Sequence, residues 1–159
     1  MKPPMTLAIR ELQNADIAFT IHLYEYQDKG GTKRSASELQ VDEHSVIKTL
    51  IMETDKKECF VILMHGDAQV STKEMARLLA VKTVSPASPA VADKHSGYQV
   101  GGTSPFGTKR KMTVYMEETI LDLPKIYING GKRGFLVGID PKDVQRLLHP
   151  VLVRVATPA

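Results

Sequence analysis

The chain has 159 residues, 42% hydrophobic and 25% charged, the proportions of an ordinary soluble globular domain, which exclude disordered and collagen-like classes. A domain of this size buries roughly 70% of the surface its unfolded chain exposes, so neither a metal nor a disulfide is needed to hold it together. The formal charge of +3 permits an anionic partner without demanding one.

Cys59 is the only cysteine, which rules out an intrachain disulfide and any site built from several thiolates and fits a reducing cytoplasm. Met1-Lys2-Pro3-Pro4-Met5 lacks the apolar run of a signal peptide, and the longest apolar stretch, Phe60 to Met64, is too short to cross a bilayer. The expectation is a protein neither secreted nor membrane-bound.

In chain order, Thr6 is placed to cap a short helix through Asn14. Ile17 to Tyr26 then alternates, with Ile17, Phe19, Ile21 and Leu23 on a core face and Thr20, His22 and Tyr24 on the other. Gly30-Gly31, with Lys29, Lys33 and Arg34, marks a loop before a helical stretch around Ser37 to Leu39. Val46 to Met52 and Cys59 to His65 read as strands joined by a turn at Asp55 to Glu58, the second apolar on both faces and so central in its sheet. Ser71-x-x-Glu74 is a capping box before an apolar stripe of Met75, Leu78 and Leu79. Ser88-Pro89 opens another helix, and Gly97 is placed to end it. After a loop from Tyr98 to Gly107, strands are predicted at Met112 to Met116, Lys125 to Asn129 and Phe135 to Ile139. The last two are joined through Asn129-Gly130-Gly131. Asp140-Pro141 opens a final helix through Leu148, and Val151 to Val155 is a last strand. Hairpins with helices between them predict one α+β domain over residues 1–159, with a curved, mixed, largely antiparallel sheet or partial barrel and flanking helices.

The five histidines show no metal-ligand spacing, Cys59 opens an apolar strand, and neither a metal nor a cofactor is expected. Gly101 to Lys109 narrowly misses two motifs. A phosphate-binding loop needs Lys directly after its second glycine, and Thr108 intervenes. A hydrolase elbow needs Gly where Phe106 stands, and Pro105 biases Ser104 away from the required tight turn, leaving it a weak nucleophile. What remains is a plain connection or a loop whose amides approach a ligand closely. Lys48 lies in an apolar strand, so it either reaches water at a sheet edge or is held at a site as fixed positive charge. Tyr24 is either an exposed strand tyrosine or a hydroxyl donor at that site.

Four segments carry a resemblance: Ile21-His22-Leu23-Tyr24-Glu25, Val46-Ile47-Lys48-Thr49-Leu50, the run from Gly97 through Gly101-Gly102-Thr103-Ser104 to Gly107, and Ile126-Tyr127-Ile128-Asn129-Gly130-Gly131-Lys132-Arg133-Gly134. In this order and spacing they resemble the YbaK family of freestanding aminoacyl-tRNA deacylases, related to the editing domain of bacterial prolyl-tRNA synthetases. The resemblance implies an activity that clears cysteine from tRNA(Pro), with cysteinyl-tRNA(Cys) also accepted. It places the family's lysine on Lys48, its strand tyrosine on Tyr24 and its glycine loop on Gly101 and Gly102. The sequence departs from the family pattern at Asn129, where a small hydroxyl residue is expected, and at Leu136, where many members are acidic.

Together these readings predict that Gly101, Gly102 and Thr103 amides and Lys48 stabilise the charge developing as a cysteinyl thiol attacks its own ester. Tyr24, Ser104, Asn129 and Gly130 are expected to contact the substrate. Lys109, Arg110, Lys111, Lys132 and Arg133 are expected to bind tRNA, with Lys29, Lys33 and Arg34 on the other flank and a prolyl-tRNA synthetase as partner. Three alternatives stay open: a noncatalytic module docking on tRNA or synthetase, a deacylase for another amino acid such as alanine, and an ester hydrolase using Ser104.

Overall fold

The computed structural model describes residues 4–158, so the first three residues of the Met1 to Met5 stretch lie outside it. α1 (Leu7–Asn14) starts where Thr6 Oγ1 accepts the Ile9 amide at 3.1 Å, satisfying one of the amides a first turn leaves unpaired. The same device starts α3 (Thr72–Leu79) at Ser71, α4 (Pro89–Ser96) at Ser88 and α5 (Pro141–Leu148) at Asp140. Gly97 ends α4 in the left-handed conformation at φ +79°, as its position in the sequence predicts. α2 (Gly31–Leu39) begins several residues before the predicted stretch, and its first glycine needs φ +61°.

The strands are β1 (Thr20–Leu23), β2 (Val46–Thr54), β3 (Cys59–His65), β4 (Ala68–Val70), β5 (Val84–Pro86), β6 (Val114–Glu117), β7 (Ile126–Lys132), β8 (Phe135–Ile139), β9 (Val151–Val153) and β10 (Ala156–Pro158). Eight form an open mixed sheet in the order β1-β8-β7-β2-β3-β6-β9, with β5 also on β2. β2 pairs antiparallel with β3 and β5 but parallel with β7, and β3–β6 and β6–β9 are parallel. β4 and β10 pair separately. Among the described residues the fold is α+β with five α-helices, and β3 is central and almost wholly buried, as its two apolar faces require.

One sheet face packs Ile47, Ile51, Leu63, Ile128 and Val137 against α1, α4 and α5. The other packs Met52, Ile62 and Met64 against α3, while Val46 and Leu136 meet Ala36 of α2.

Two expectations need correction. Ile21 and Leu23 do share the core face, opposite the buried Val137 and Phe135, yet they are 39% and 41% exposed. β1 is the sheet edge, so among the described residues no further strand pairs with its outer side. The β7–β8 hairpin does not turn at Asn129-Gly130-Gly131. Register runs from Asn129↔Leu136 to Lys132↔Phe135, so Gly130 and Gly131 form a bulge and the reversal falls at Arg133-Gly134, with Gly134 at φ +74°.

Gly130 is tightly enclosed: a Cβ there would stand 2.6 Å from Cε2 of the fully buried Phe135 ring. Gly130→Ala is expected to cost about 1–3 kcal/mol by overpacking, read as a lowered denaturation midpoint with an unchanged m-value.

Candidate active site

The site begins with a division of the β2 edge. β7 pairs there only at Val46↔Tyr127 and Ile47↔Ile128, and β5 only from Met52↔Pro86 to Thr54↔Val84, with the Ala87 amide reaching Ile51 O at 3.0 Å. Among the described residues Lys48 to Leu50 therefore have no strand on that side, and a cavity of about 670 Å³ opens beside them. Lys48, Tyr24, Gly101, Thr103, Asn129, Arg133 and Leu136 all line it, so segments more than a hundred residues apart in sequence meet at one hollow.

Lys48 is half-buried, and its Nζ donates to Ala68 O at 2.6 Å. Burial pushes its pKa below the usual lysine value, and the Glu43 and Asp67 carboxylates partly offset that push. The acceptor is held firmly: Gly66 N donates to Val46 O at 2.7 Å, Asp67 pairs with His44 Nδ1 at 2.9 Å, and Ala68 pairs with Pro158 of β10. Tyr24 packs against Ala36, Val46 and Leu136, and burial raises its phenol pKa.

The glycine loop contributes differently from expectation. The Gly102 amide is spent on Gln99 O at 2.7 Å, and the residue is buried against the Lys132–Arg133 backbone, off the cavity wall. Gly101 (φ +90°) and Thr103 do line the cavity, and among the described residues their amides donate to no protein acceptor. Ser104 is 0% exposed and off the wall, its Oγ accepting the Phe106 amide at 3.2 Å. It is a structural residue of the loop, which overturns its predicted substrate contact and removes the Ser104 hydrolase. Gly130 is likewise buried off the wall, its carbonyl accepting from Thr6 Oγ1 at 2.5 Å.

Asn129 ties the two loops together. Its Oδ1 accepts the Gly131 and Lys132 amides at 2.7 and 3.1 Å, and its Nδ2 donates to Gly101 O at 3.3 Å. Arg133 adds a bond to Val100 O at 2.9 Å and lies 5.0 Å over the Tyr26 ring. The basic residues divide. Lys29, Lys33, Arg34 and Arg133 stand on the cavity wall, whereas Lys109, Arg110, Lys111 and Lys132 are exposed away from it.

Sequence reasoning missed Glu43, Thr49 and Ala68. Only the last is a main-chain role that no side-chain pattern encodes. Glu43 precedes the lysine segment and Thr49 lies within it, but nothing in their spacing marks them as site residues. Among the described residues one group of three candidate metal ligands occurs, His44, His65 and Asp67. The imidazoles are stacked 3.7 Å apart and nearly parallel, so their in-plane lone pairs do not converge. His65 is bonded at both nitrogens, to His44 O and Thr119 Oγ1. No helix among the described residues is long and apolar enough to cross a membrane.

The sequence matches the aminoacyl-tRNA editing domain family over residues 29–147, and the chain belongs to that family. Its activity is accordingly that of an aminoacyl-tRNA deacylase. It is 22% identical over 153 residues, 96% of this chain and 93% of the relative, to the Enterococcus faecalis protein named "Putative Cys-tRNA(Pro)/Cys-tRNA(Cys) deacylase EbsC". It is 29% identical over 112 residues to a Streptococcus pyogenes proline–tRNA ligase, covering 69% of this chain but 18% of the ligase. Two solved structures share the fold at 19% identity. The hypothetical protein APE2540 has a TM-score of 0.87 over 96% of this chain and all of its own. A "putative trans-editing enzyme for prolyl tRNA synthetase" has 0.81 over 97% and 99%.

This geometry also sets how stability responds to pH and to one substitution. Burial holds the His65 pKa below 6.5, so its contribution to stability is complete above pH 6.5 and is lost as pH falls toward the lower folded value. Denaturation midpoints of the wild type should fall on acidification through that window, with a shallower fall in His65→Gln. The Thr49 hydroxyl is buried without a partner among the described residues, so Thr49→Val is expected to raise stability by about 1 kcal/mol in the same assay.

Proposed function

We propose that the protein is a freestanding editing deacylase that removes cysteine from tRNA(Pro), accepts cysteinyl-tRNA(Cys), and uses the substrate's own thiol as nucleophile. The observation that carries this reading is a cavity with a held ammonium, Lys48, and, among the described residues, two uncommitted amides, Gly101 and Thr103, but no Cys or His on its wall. Ser35, a hydroxyl on the wall, is committed to the carbonyls of Thr32 and Gly31. Such a site stabilises charge and offers neither a Cys nucleophile nor a His base, so a substrate that brings its own nucleophile suits it.

In this mechanism the thiol sulfur bonds to the ester carbonyl carbon and its proton passes to the departing ribose oxygen. The products are a cyclic thiolactone and the free tRNA hydroxyl. The two amides and Lys48 hold the negative oxygen formed on the way. Tyr24 and Asn129 shape the wall, Asn129 by fixing the Gly101 carbonyl and with it the direction of the neighbouring amides. Such a second sieve is useful because a proline-sized pocket rejects a residue of similar bulk by only about 1–3 kcal/mol.

The acceptor end enters past Lys29, Lys33, Arg34 and Arg133, which border the cavity, rather than over Lys109 to Lys111. The relation to proline–tRNA ligases supports a synthetase partner that supplies affinity the modest charge of +3 does not. Leu136 favours one second reading. A buried leucine on the wall, where many YbaK members are acidic, suits a small apolar side chain such as that of alanine.

Deacylation of cysteinyl-, alanyl- and prolyl-tRNA(Pro) separates these readings. Cysteinyl-tRNA should be cleaved fastest, and Lys48→Ala should slow it by about 100-fold with an unchanged circular dichroism spectrum. Faster cleavage of the alanyl ester would reverse the assignment.

A further inference from the structure

The charges on the cavity wall are unequal in number and purpose. Lys29, Lys33, Arg34, Lys48 and Arg133 are cations suited to phosphates and a developing oxyanion, and among the described residues the only carboxylates on the wall are Asp28 and Glu43. Asp28 is exposed, whereas Glu43 is half-buried beneath α2. Its Oε2 accepts from Thr32 Oγ1 at 2.8 Å, and among the described residues its Oε1 accepts from no protein group.

Glu43 is close enough to Lys48 to favour the charged ammonium, yet the two form no ion pair, because Lys48 Nζ is turned to Ala68 O. A half-buried carboxylate with an uncommitted oxygen and a half-buried cation thus share a cavity without touching. Each retains capacity for a partner, and partial burial makes an unmet charge costly. An aminoacyl ester carries a matching pair of groups two bonds apart, an α-ammonium and an ester carbonyl.

We infer that Glu43 is the subsite for the α-amino group, so that the enzyme selects esters whose α-amine is free and cationic. This rests on the reading that the cavity takes an aminoacyl-tRNA end. With the ammonium on Glu43 Oε1, the ester carbonyl is turned toward Lys48, and the amino acid is held by the groups all amino acids share. Esters with a blocked or absent α-amine, such as N-acylated ones, are refused. Thr32 is the positioning residue, since its hydroxyl fixes one carboxylate oxygen and leaves the other for the ligand.

The test compares cysteinyl-tRNA(Pro) with the same tRNA carrying the 2-hydroxy-3-mercaptopropionyl ester, which keeps thiol and ester but replaces the ammonium by a hydroxyl. After correction for spontaneous hydrolysis, the wild type should prefer the cysteinyl ester by about tenfold or more in kcat/KM, the value of one charge-assisted hydrogen bond. Glu43→Gln keeps the shape and the acceptor for Thr32. It should lower cleavage of the cysteinyl ester by about that factor and leave the hydroxy ester within about threefold, so that the preference collapses. Glu43→Asp, which keeps the charge, should retain more of the preference than Glu43→Gln. An unchanged preference in Glu43→Gln, or an equal loss on both esters, overturns the inference. If the wild type cleaves alanyl- but not cysteinyl-tRNA, the proposed substrate is wrong. The alanyl and lactyl esters then replace the first pair: a preference that collapses in Glu43→Gln supports the amine subsite, and one that persists overturns it.

Discussion

The edge of β2 cannot serve two strands along its whole length, and most of the site follows from that constraint. β7 joins it at Val46 and Ile47, Ala87 and β5 join it from Ile51 onward, and the three residues between, Lys48 to Leu50, are left with an unfilled flank. Strand edges inside a fold must be covered, paired or turned to solvent, because their amides and carbonyls are costly to bury alone. Here the flank faces a hollow instead. Alternation then puts Lys48 on the α2 side and Thr49 on the α4 side of the same opening, so one short segment presents a cation and a hydroxyl in different directions.

The loops opposite are stiffened from outside the cavity. Thr6 grips the Gly130 carbonyl, Glu11 accepts the Gly107 amide at 2.6 Å, and the Tyr98 hydroxyl donates to Phe106 O at 2.5 Å. Burial, with the Glu11 charge beside it, pushes the Tyr98 phenol up to about 12, so that donor keeps its proton across the physiological range. Asn129 and Arg133 close the arrangement from the hairpin side. Donors aimed in advance need no reorganisation when charge appears, which is the form of electrostatic catalysis open to a site without a nucleophile. The division of labour within the glycine run is sharp: Gly102 spends its amide holding the loop closed, and its neighbours keep theirs free.

Local chemistry was legible in the sequence. The four hydroxyl or carboxylate caps, the left-handed Gly97 and the doubly apolar β3 each depend on residues a few positions apart, and all are where the pattern puts them. The lysine, tyrosine and glycine segments were legible as unusual, though their meeting at one cavity depends on sheet order. Long-range features were not legible. β4, β5 and β10 are three residues each and are strands only because of their partners. The double glycine looked like a reversal because its bulge needs the same backbone freedom as a turn, and only the cross-strand register separates the two. Ser104 looked accessible because nothing in its neighbours reveals that Pro105 and Phe106 are buried with it.

β10 has a consequence for how the enzyme matures. Ribosomes deliver the chain from its N-terminus at about 5–20 residues per second, so Lys48 emerges well before Ala156 to Pro158. Yet β4, whose first carbonyl accepts the lysine's hydrogen bond, has β10 as its sheet partner. A nascent chain with helices α1 to α5 already made therefore still lacks the brace behind its central cation. Docking of β10 on β4 is thus the step that braces the acceptor of the lysine's bond, and in chain order it follows every helix of the fold.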